Sequence, residues 1–433
     1  MPNRKYLITS TFLLCGLLGS ALACANADSS SPIGLPLNDT SNDQYRAAVA
    51  AVEKQHGAHN FAIVEPAIGL GLNLQQQNQH ADAITALKRA LHVNRINRGL
   101  HDLDHVPIID LIAHSHMTLG DWAGAEQQQM LRFWIHQREV ETAEALSPAA
   151  LDAYADAAIH FSNWQAQSYA RNTGRFPLVK LRHAQAALAD ARQRYVQQSR
   201  TVDPHYFALL NTIAVNNYNI VIYLSNNEVD AVSGSAAGDQ DISDYLLRQN
   251  VIVDSFRSGS AALREVIDLT NTSDPSVQHA QAILNYADWQ LLFNRPQTAG
   301  KEYARAFDAF KRAGVDKTEL NKRFAEPERI TAFRLQPGFN EKAGVPAPDT
   351  NNQKPEDAPY VLAVFDVNRH GQVRNLDIEK SWPENDKRLR RAARSRLVAS
   401  KFRPALIDGK PVVRKDVKIR YLFSSYDRPD SGQ

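Results

Sequence analysis

A run of histidines and aspartates near residue 100 has the composition of a metal site. His101 and His105 are four residues apart, a spacing at which two histidines on one helix can chelate zinc. Pro107 follows closely and Gly99 precedes, which favours a loop, and there is no His-Glu-x-x-His motif. We therefore predict no metal or other cofactor, with His101 and His105 as the residues that a metal would use.

The patterns of nucleophilic and nucleotide-dependent catalysis are also missing. No Gly-x-Ser-x-Gly motif occurs, and the two cysteines, Cys15 and Cys24, both lie near the N-terminus. Residues 69–71 lack the preceding strand and the third glycine of a dinucleotide fingerprint. The sequence therefore predicts a protein that is not an enzyme. A metal-dependent envelope hydrolase that uses the histidine cluster is the weaker alternative.

Residues 1–27 have the order of a secretory signal. Two basic residues precede an apolar run at 6–18, and small residues follow at 25–27. The apolar run is shorter than the roughly 20 residues of a membrane span. Alternatively, Cys24 is the lipid acceptor of a lipoprotein. We expect export to the periplasm of a Gram-negative bacterium, with membrane association only through an uncleaved or lipidated N-terminus and no later membrane-spanning segment.

Length and composition allow two or three folded domains, because the chain has 433 residues of which 43% are hydrophobic. After the signal peptide we predict, in order, a flexible leader at 28–44, helical repeats at 45–335, a proline-rich linker at 336–358, a second domain at 359–426 and a tail at 427–433.

Charge is distributed unevenly along the chain. From Ala358 to the end there are 17 basic and 9 acidic residues, a net charge of +8. Residues 28–357 carry 30 basic and 38 acidic residues, a net charge of −8. A basic domain favours anionic partners. We expect no nucleic acid among them, because the periplasm contains none.

The central region is predicted to be helical and repetitive. Small and large residues recur there with the spacing of the tetratricopeptide repeat, in which small residues let two helices approach closely. Copies begin at Leu70, Gly120 and Ile283, and the first two are 42 residues apart between Ala83 and Ala125. We predict a tetratricopeptide-like solenoid whose groove binds a peptide or protein. An irregular helical bundle is the alternative.

After the linker the apolar period changes from helical to alternating. Residues 361–367 have the pattern of a strand that is apolar on both faces, and 417–423 alternate apolar with basic residues. A helix is predicted to open at 383–386 and to end before Phe402, with five arginines away from its apolar face. Those arginines could grip an anionic surface, but a solvated face is the simpler interpretation.

The predicted order β-β-α-β resembles the C-terminal domain of the TonB family of energy transducers. The likeness rests on Gly-Gln-Val at 371–373, Phe-Arg-Pro-Ala at 402–405 and Asp-Gly-Lys-Pro-Val at 408–412. It implies that an envelope partner, such as a TonB-dependent outer-membrane receptor, adds a strand beside the last strand. The partner-binding residues that it implies are Val417, Lys418, Ile419, Arg420, Tyr421, Leu422 and Phe423.

The chain departs from that family in its N-terminal half. The leader has no Ser-x-x-x-His motif, and helical repeats stand where a long Pro-Glu/Pro-Lys spacer would be. We therefore predict a periplasmic interaction protein: a helical-repeat scaffold with a TonB-like domain that binds an envelope partner by strand addition. A TonB-type energy transducer for receptor-mediated transport, with a retained N-terminal anchor, is the alternative.

Overall fold

The computed structural model describes residues 39–170, 177–226, 239–330, 359–384 and 386–422. The predicted signal peptide with Cys24, the linker at 336–358, Phe423 and the tail lie outside these residues. The described part is mostly helical and ends in a small sheet region, which confirms the predicted order of a helical part and a small α/β part. It forms two compact units, the first ending at Asp121 and the second beginning at Trp122.

The helical part contains twelve α-helices among the described residues. They are α1 Asp39–His56, α2 Val64–Gln76, α3 His80–Arg98, α4 Val106–Thr118, α5 Trp122–Thr142, α6 Pro148–Ala170, α7 Pro177–Gln197, α8 Pro204–Asn226, α9 Asp239–Thr270, α10 Val277–Leu292, α11 Pro296–Arg312 and α12 Lys317–Arg323. Short 3-10 helices precede α2 and α4, at Phe61–Ile63 and Leu103–His105.

The first helix, α1, begins at Asp39, within the stretch 28–44 that the sequence suggests as a leader. Polar residues at this end of α1 are used in tertiary hydrogen bonds. The amide of Asn42 donates to Gln77 Oε1 at 2.7 Å and accepts from Asn73 Nδ2 at 2.6 Å. These amides partner one another where α1 meets α2, so a polar stretch that resembles a flexible leader is part of the folded first unit.

The helices of the second unit share one apolar core. Trp289 of α10 is fully buried, and its indole Nε1 donates to Ser260 Oγ at 2.9 Å. The ring lies against the backbone of α9 at Gly259, where an added Cβ would be 2.3 Å from the ring atoms. A glycine at this point therefore lets α9 and α10 approach closely enough to enclose the largest side chain of the core.

Helix α8 is, by length and composition, the one helix among the described residues that could cross a membrane, contrary to the expectation from the sequence. More than half of its apolar window, Pro204–Leu224, is buried within the protein.

Seven strands and one helix make up the C-terminal region and its junction. They are β1 Glu328–Arg329, β2 Tyr360–Val367, β3 Val373–Trp382, α13 Lys387–Ala399, β4 Phe402–Arg403, β5 Ala405–Ile407, β6 Lys410–Val412 and β7 Arg414–Leu422. The main sheet is antiparallel with the order β3-β2-β7, and β1-β4 and β5-β6 form two-stranded pairs. The predicted β-β-α-β order is thus extended by three short strands before β7, and a strand lies within the predicted repeat region.

The core of the C-terminal region lies between the sheet and α13. Alternate residues of β2 from Val361 to Val367 are fully buried, whereas Leu362 and Val364 on the other face are half-buried. Helix α13 begins at the cap Asp386, whose carboxylate accepts hydrogen bonds from the backbone N–H groups of Arg388 and Leu389. Its buried residues, three or four positions apart, are Leu389, Ala393 and Leu397.

Two helical glycines provide a test of the close helix packing. Gly259→Ala should reduce the free energy of unfolding by about 1–3 kcal/mol, because the methyl group has no space beside Trp289. Gly300→Ala in α11 is the matched control, since its Cβ would meet only Pro411 Cγ at 3.8 Å. The control should gain about 0.5–1 kcal/mol from helix propensity. Urea unfolding measures both, and equal effects would contradict the packing described.

Candidate functional site

The strand that the sequence predicts as a partner site lies at one edge of the main sheet. Within the described residues β7 pairs with β2 alone, in a register that runs from Val417 opposite Phe365 to Leu422 opposite Tyr360. Asp416, with a φ of 55°, interrupts the regular pairing just before this segment. In an antiparallel edge strand every second residue turns its N–H and C=O away from its neighbour, so residues 417–422 present backbone groups that another strand could pair with.

The opposite edge of the sheet is different, because side chains from α13 reach its backbone. Arg390 Nη2 donates to the carbonyl oxygen of Ile378 at 2.7 Å, and Arg394 Nη1 donates to that of Leu376 at 3.0 Å. Both carbonyls belong to β3. Charged side chains over an edge strand oppose the addition of a further strand, so the two edges of the sheet are not equivalent.

The side chains of β7 alternate as the sequence predicts. Val417 and Ile419 are half-buried and Tyr421 is buried, all on the side of the core, whereas Lys418 and Arg420 are exposed on the other face. The exposed pair makes this edge cationic. Lys418 Nζ is 2.9 Å from Glu379 Oε1 across the sheet, an exposed ion pair of little energetic weight.

A buried ion pair joins the C-terminal region to the helices of the second unit. Arg403 of β4 contacts the Asp288 carboxylate of α10 through two nitrogens, with Nε–Oδ1 at 3.1 Å and Nη2–Oδ2 at 2.5 Å. The two side chains are only 12% and 5% exposed. Tyr303 donates to Asp288 Oδ1 at 2.8 Å, and Glu328 of β1 accepts from Arg403 Nη1. The neighbouring carboxylates hold the pKa of Arg403 above its usual value, against the effect of burial.

The turns that carry the family resemblance also pack on the helices. Gly371 has a φ of 68°, and a Cβ there would be 2.8 Å from Leu291 of α10 and 2.0 Å from the Phe402 carbonyl oxygen. Gly409 has a φ of 77°, and its Cβ would be 2.9 Å from Phe307 of α11. Leu406 lies in the helical core and donates its N–H to Phe324 O at 2.8 Å. Through these contacts the C-terminal region packs closely against α10–α12.

Sequence reasoning missed this junction, although one signal pointed to it. Asp288 is the one acidic residue of α10, and it lies between Ala287 and Trp289. A carboxylate in such a place requires a cation and hydrogen-bond donors. The pattern could have indicated a buried ion pair, but nothing in it indicated Arg403 as the partner.

The two histidines that a metal would use, His101 and His105, do not lie on one helix. His101 lies in a turn, and His105 ends the 3-10 helix at Leu103–His105. The buried ring of His105 is held at both nitrogens, with Nε2 at 2.6 Å from Gly99 O and Nδ1 at 3.0 Å from Asn94 Nδ2. The structure therefore uses His105 to close the connection between α3 and α4.

Another cluster has metal-ligand chemistry, between α6 and α8. Asp152, Asp203 and His205 are the one group of this kind among the described residues. Arg200 Nη2 already lies 2.9 Å from Asp152 Oδ1 and 2.5 Å from Asp203 Oδ2, and Tyr195 donates to Asp152 at 2.5 Å. The guanidinium supplies the positive charge that these carboxylates need, so the cluster is an internal ion-pair network.

Two histidines between α5 and α6 are neutral at ordinary pH. Reduced solvation between the helices, and then the nearby charge of Arg132, lower the pKa values of His136 and His160 to about 4. His160 keeps solvent access and has its Nε2 at 2.7 Å from Gln129 Oε1. Asp156 beside them has a raised pKa, chiefly because burial disfavours its charge. The two imidazoles can therefore donate and accept hydrogen bonds without titrating near neutral pH.

Comparisons with known proteins do not assign a family. No protein-family model matches the chain, and no curated protein matches it. Among solved structures, the crystal structure of BtubC (BKLC) from P. vanneervenii is similar over 69% of this chain and 97% of that chain. The identity is 14% and the TM-score is 0.34, values at which the likeness supports no inference about function.

The buried ion pair gives a prediction about stability. Asp288→Leu should reduce the free energy of unfolding by about 3–5 kcal/mol, because Arg403 is left buried without its main partner. The double variant Asp288→Leu with Arg403→Met should recover about 2 kcal/mol of this loss, because the charge is removed as well. Asp408→Asn, which breaks the exposed pair with Lys317, is the control and should cost under about 1 kcal/mol. Additive losses in a urea-unfolding cycle would contradict the coupling.

The two histidines give a prediction about pH. Below pH 6.5 the unfolded chain protonates them, whereas the folded chain resists protonation until about pH 4. The unfolded state then binds more protons, so these groups reduce stability as pH falls from 6.5 to about 4. His160→Gln should lose stability less steeply than the parent chain over this interval. Parallel curves of unfolding free energy against pH for the two proteins would contradict a lowered pKa of His160 in the folded state.

Proposed function

We propose that this chain is a non-enzymatic interaction protein of the periplasm, in which β7 binds an extended segment of an envelope partner by strand addition. The observation that carries the proposal is the difference between the two sheet edges. Arg390 and Arg394 occupy carbonyls of β3, whereas β7 pairs on one side only within the described residues. Strand addition draws its affinity from main-chain hydrogen bonds, which an edge of this kind can provide.

The side chains at this edge indicate which partner would be preferred. Lys418 and Arg420 are exposed on β7, and Lys415 precedes them. Opposite charges at facing positions of neighbouring strands stabilise the pairing, and like charges oppose it. We therefore expect an extended partner segment with acidic side chains. The resemblance of residues 360–423 to the TonB family suggests the N-terminal segment of a TonB-dependent outer-membrane receptor.

The helices enter the proposal as a tetratricopeptide-like solenoid with a groove for a peptide or protein. Support comes from the small residues at the predicted repeat positions. A Cβ at Gly71 of α2 would lie 2.5 Å from Leu87 of α3, and Ala83 is fully buried. The last helix pair repeats this design, with Tyr286 and Tyr303 buried among alanines. Stacked helix pairs of this kind expose a continuous concave surface.

Strand addition can be tested with the whole protein and synthetic peptides. The peptides cover the N-terminal periplasmic segments of the outer-membrane receptors of the source bacterium. Binding of such a peptide should slow amide hydrogen exchange at alternate residues of 417–422, because every second N–H gains a partner. The exchange of 373–382 in β3 should not change. Protection of β3 rather than β7 would contradict the proposal.

A pair of variants tests the charge preference. Lys418→Glu with Arg420→Glu should weaken binding of an acidic peptide by about tenfold or more, because two attractive cross-strand contacts become repulsive. Arg374→Glu with Lys380→Glu makes the same charge change on exposed positions of β3 and is the matched control. Isothermal titration calorimetry measures both affinities. An equal loss of affinity in the control would show that net charge, and not the position of the charges on β7, determines binding. That result would contradict binding at β7.

A further inference from the structure

Helix α13 presents a cationic stripe that points away from the sheet. Successive residues of a helix are turned by about 100°, so the buried side at Leu389, Ala393 and Leu397 places the opposite side outward. The residues on that outward side, all exposed, are Lys387, Arg388, Arg391 and Val398. The stripe spans twelve residues, from 387 to 398, or about 16 Å at a rise of 1.5 Å between successive residues.

The arginines of this helix have two different roles. Three of them bond to the sheet: Arg390 Nη2 lies 2.7 Å from Ile378 O, Arg394 Nη1 lies 3.0 Å from Leu376 O, and Arg396 Nη1 lies 3.4 Å from the Tyr421 hydroxyl. Arg388 and Arg391 point outward instead. Cations that serve the fold are therefore distinct from cations that face solvent, and the outward ones can be changed without touching the sheet.

The helix itself contains no acidic side chain that could neutralise the stripe. No acidic residue occurs from 387 to 407. Asp386, immediately before, uses its carboxylate to cap the helix through the backbone N–H groups of Arg388 and Leu389. The potential of three cations on one face of the helix is thus favourable to anions.

The shape of the face indicates the kind of anion. The helix packs on β2 and β3 by its other side, so the stripe is the convex outer surface of the domain. A small ligand or a peptide is usually held in a concave site. A flat anionic surface fits a convex cationic helix better. The surface of an anionic membrane attracts each nearby basic residue by about 1 kcal/mol. Val398, 60% exposed at the end of the stripe, adds an apolar side chain.

We propose that the outward face of α13, at Arg388, Arg391 and their neighbours, binds the headgroups of an anionic phospholipid membrane. This surface is separate from the edge of β7, and it does not use the N-terminal route of membrane association expected from the sequence. Contact through α13 would hold the C-terminal region at a bilayer while leaving the edge strand available to a protein partner.

Co-sedimentation with vesicles tests the proposal, using the protein as purified from its host. We expect stronger binding to vesicles that contain phosphatidylglycerol than to phosphatidylcholine alone, and a decrease with added salt. Arg388→Gln with Arg391→Gln should weaken the phosphatidylglycerol-dependent binding about thirtyfold, since two cations contribute about 1 kcal/mol each. Arg369→Gln with Lys410→Gln removes the same charge from exposed positions outside α13 and should have a much smaller effect.

Three results would overturn the proposal: equal binding to both kinds of vesicle, an equal loss in the two double variants, or stronger binding to soluble polyglutamate than to the anionic vesicles. The last would assign the face to an acidic protein. Circular dichroism melting of both variants checks that the fold is retained. Binding of the receptor peptides at β7 is measured in parallel, so that failure of the membrane proposal and failure of strand addition can be told apart.

Discussion

The carboxylate of Asp288 is buried on α10, and the junction between the helices and the C-terminal strands depends on its ion pair with Arg403. A buried carboxylate is tolerated only where a cation and hydrogen-bond donors surround it. Arg403 provides the cation and Tyr303 a donor. Because Arg403 belongs to β4, this requirement brings β4 against the helices, and β1 pairs with it there. The turns at Gly371 and Gly409 then come so close to α10 and α11 that no side chain fits.

This arrangement changes the interpretation of the motifs at 371–373, 402–405 and 408–412. By themselves they suggest a module that positions an edge strand for a partner. Here Phe402 fills the core of the C-terminal region, while Arg403, Leu406 and Gly409 face the helices. Many residues of these motifs therefore attach the sheet to the helices of the same chain. What remains for a partner is the far edge of the sheet, at β7.

The attachment also has a mechanical consequence. Arg414, at the start of β7, is paired with Glu326, and Arg329 of β1 lies over the Tyr421 ring at 5.8 Å. A segment bound along β7 would thus act on a strand held to the helical part near both of its ends. In the proposed function the β7 edge of the sheet and the helices of the second unit belong to one body. The outward face of α13 is a separate surface.

The sequence by itself determined the features that depend on near neighbours. The alternation in β2 and β7, the turn at Asp408-Gly409, the apolar side of α13 and the helical texture up to α12 all follow from periods of two or of three to four residues, which local patterns encode. Local sequence patterns did not indicate which residues far apart in the chain contact each other. The ion pair between Asp288 and Arg403 joins residues 115 positions apart, and the helix at Asp39 depends on amides near residue 75. Only the tertiary structure decided that His105 closes a loop, that arginines of α13 bond to β3 carbonyls and that, among the described residues, β7 pairs on one side, because each outcome depends on which groups meet after the chain has folded.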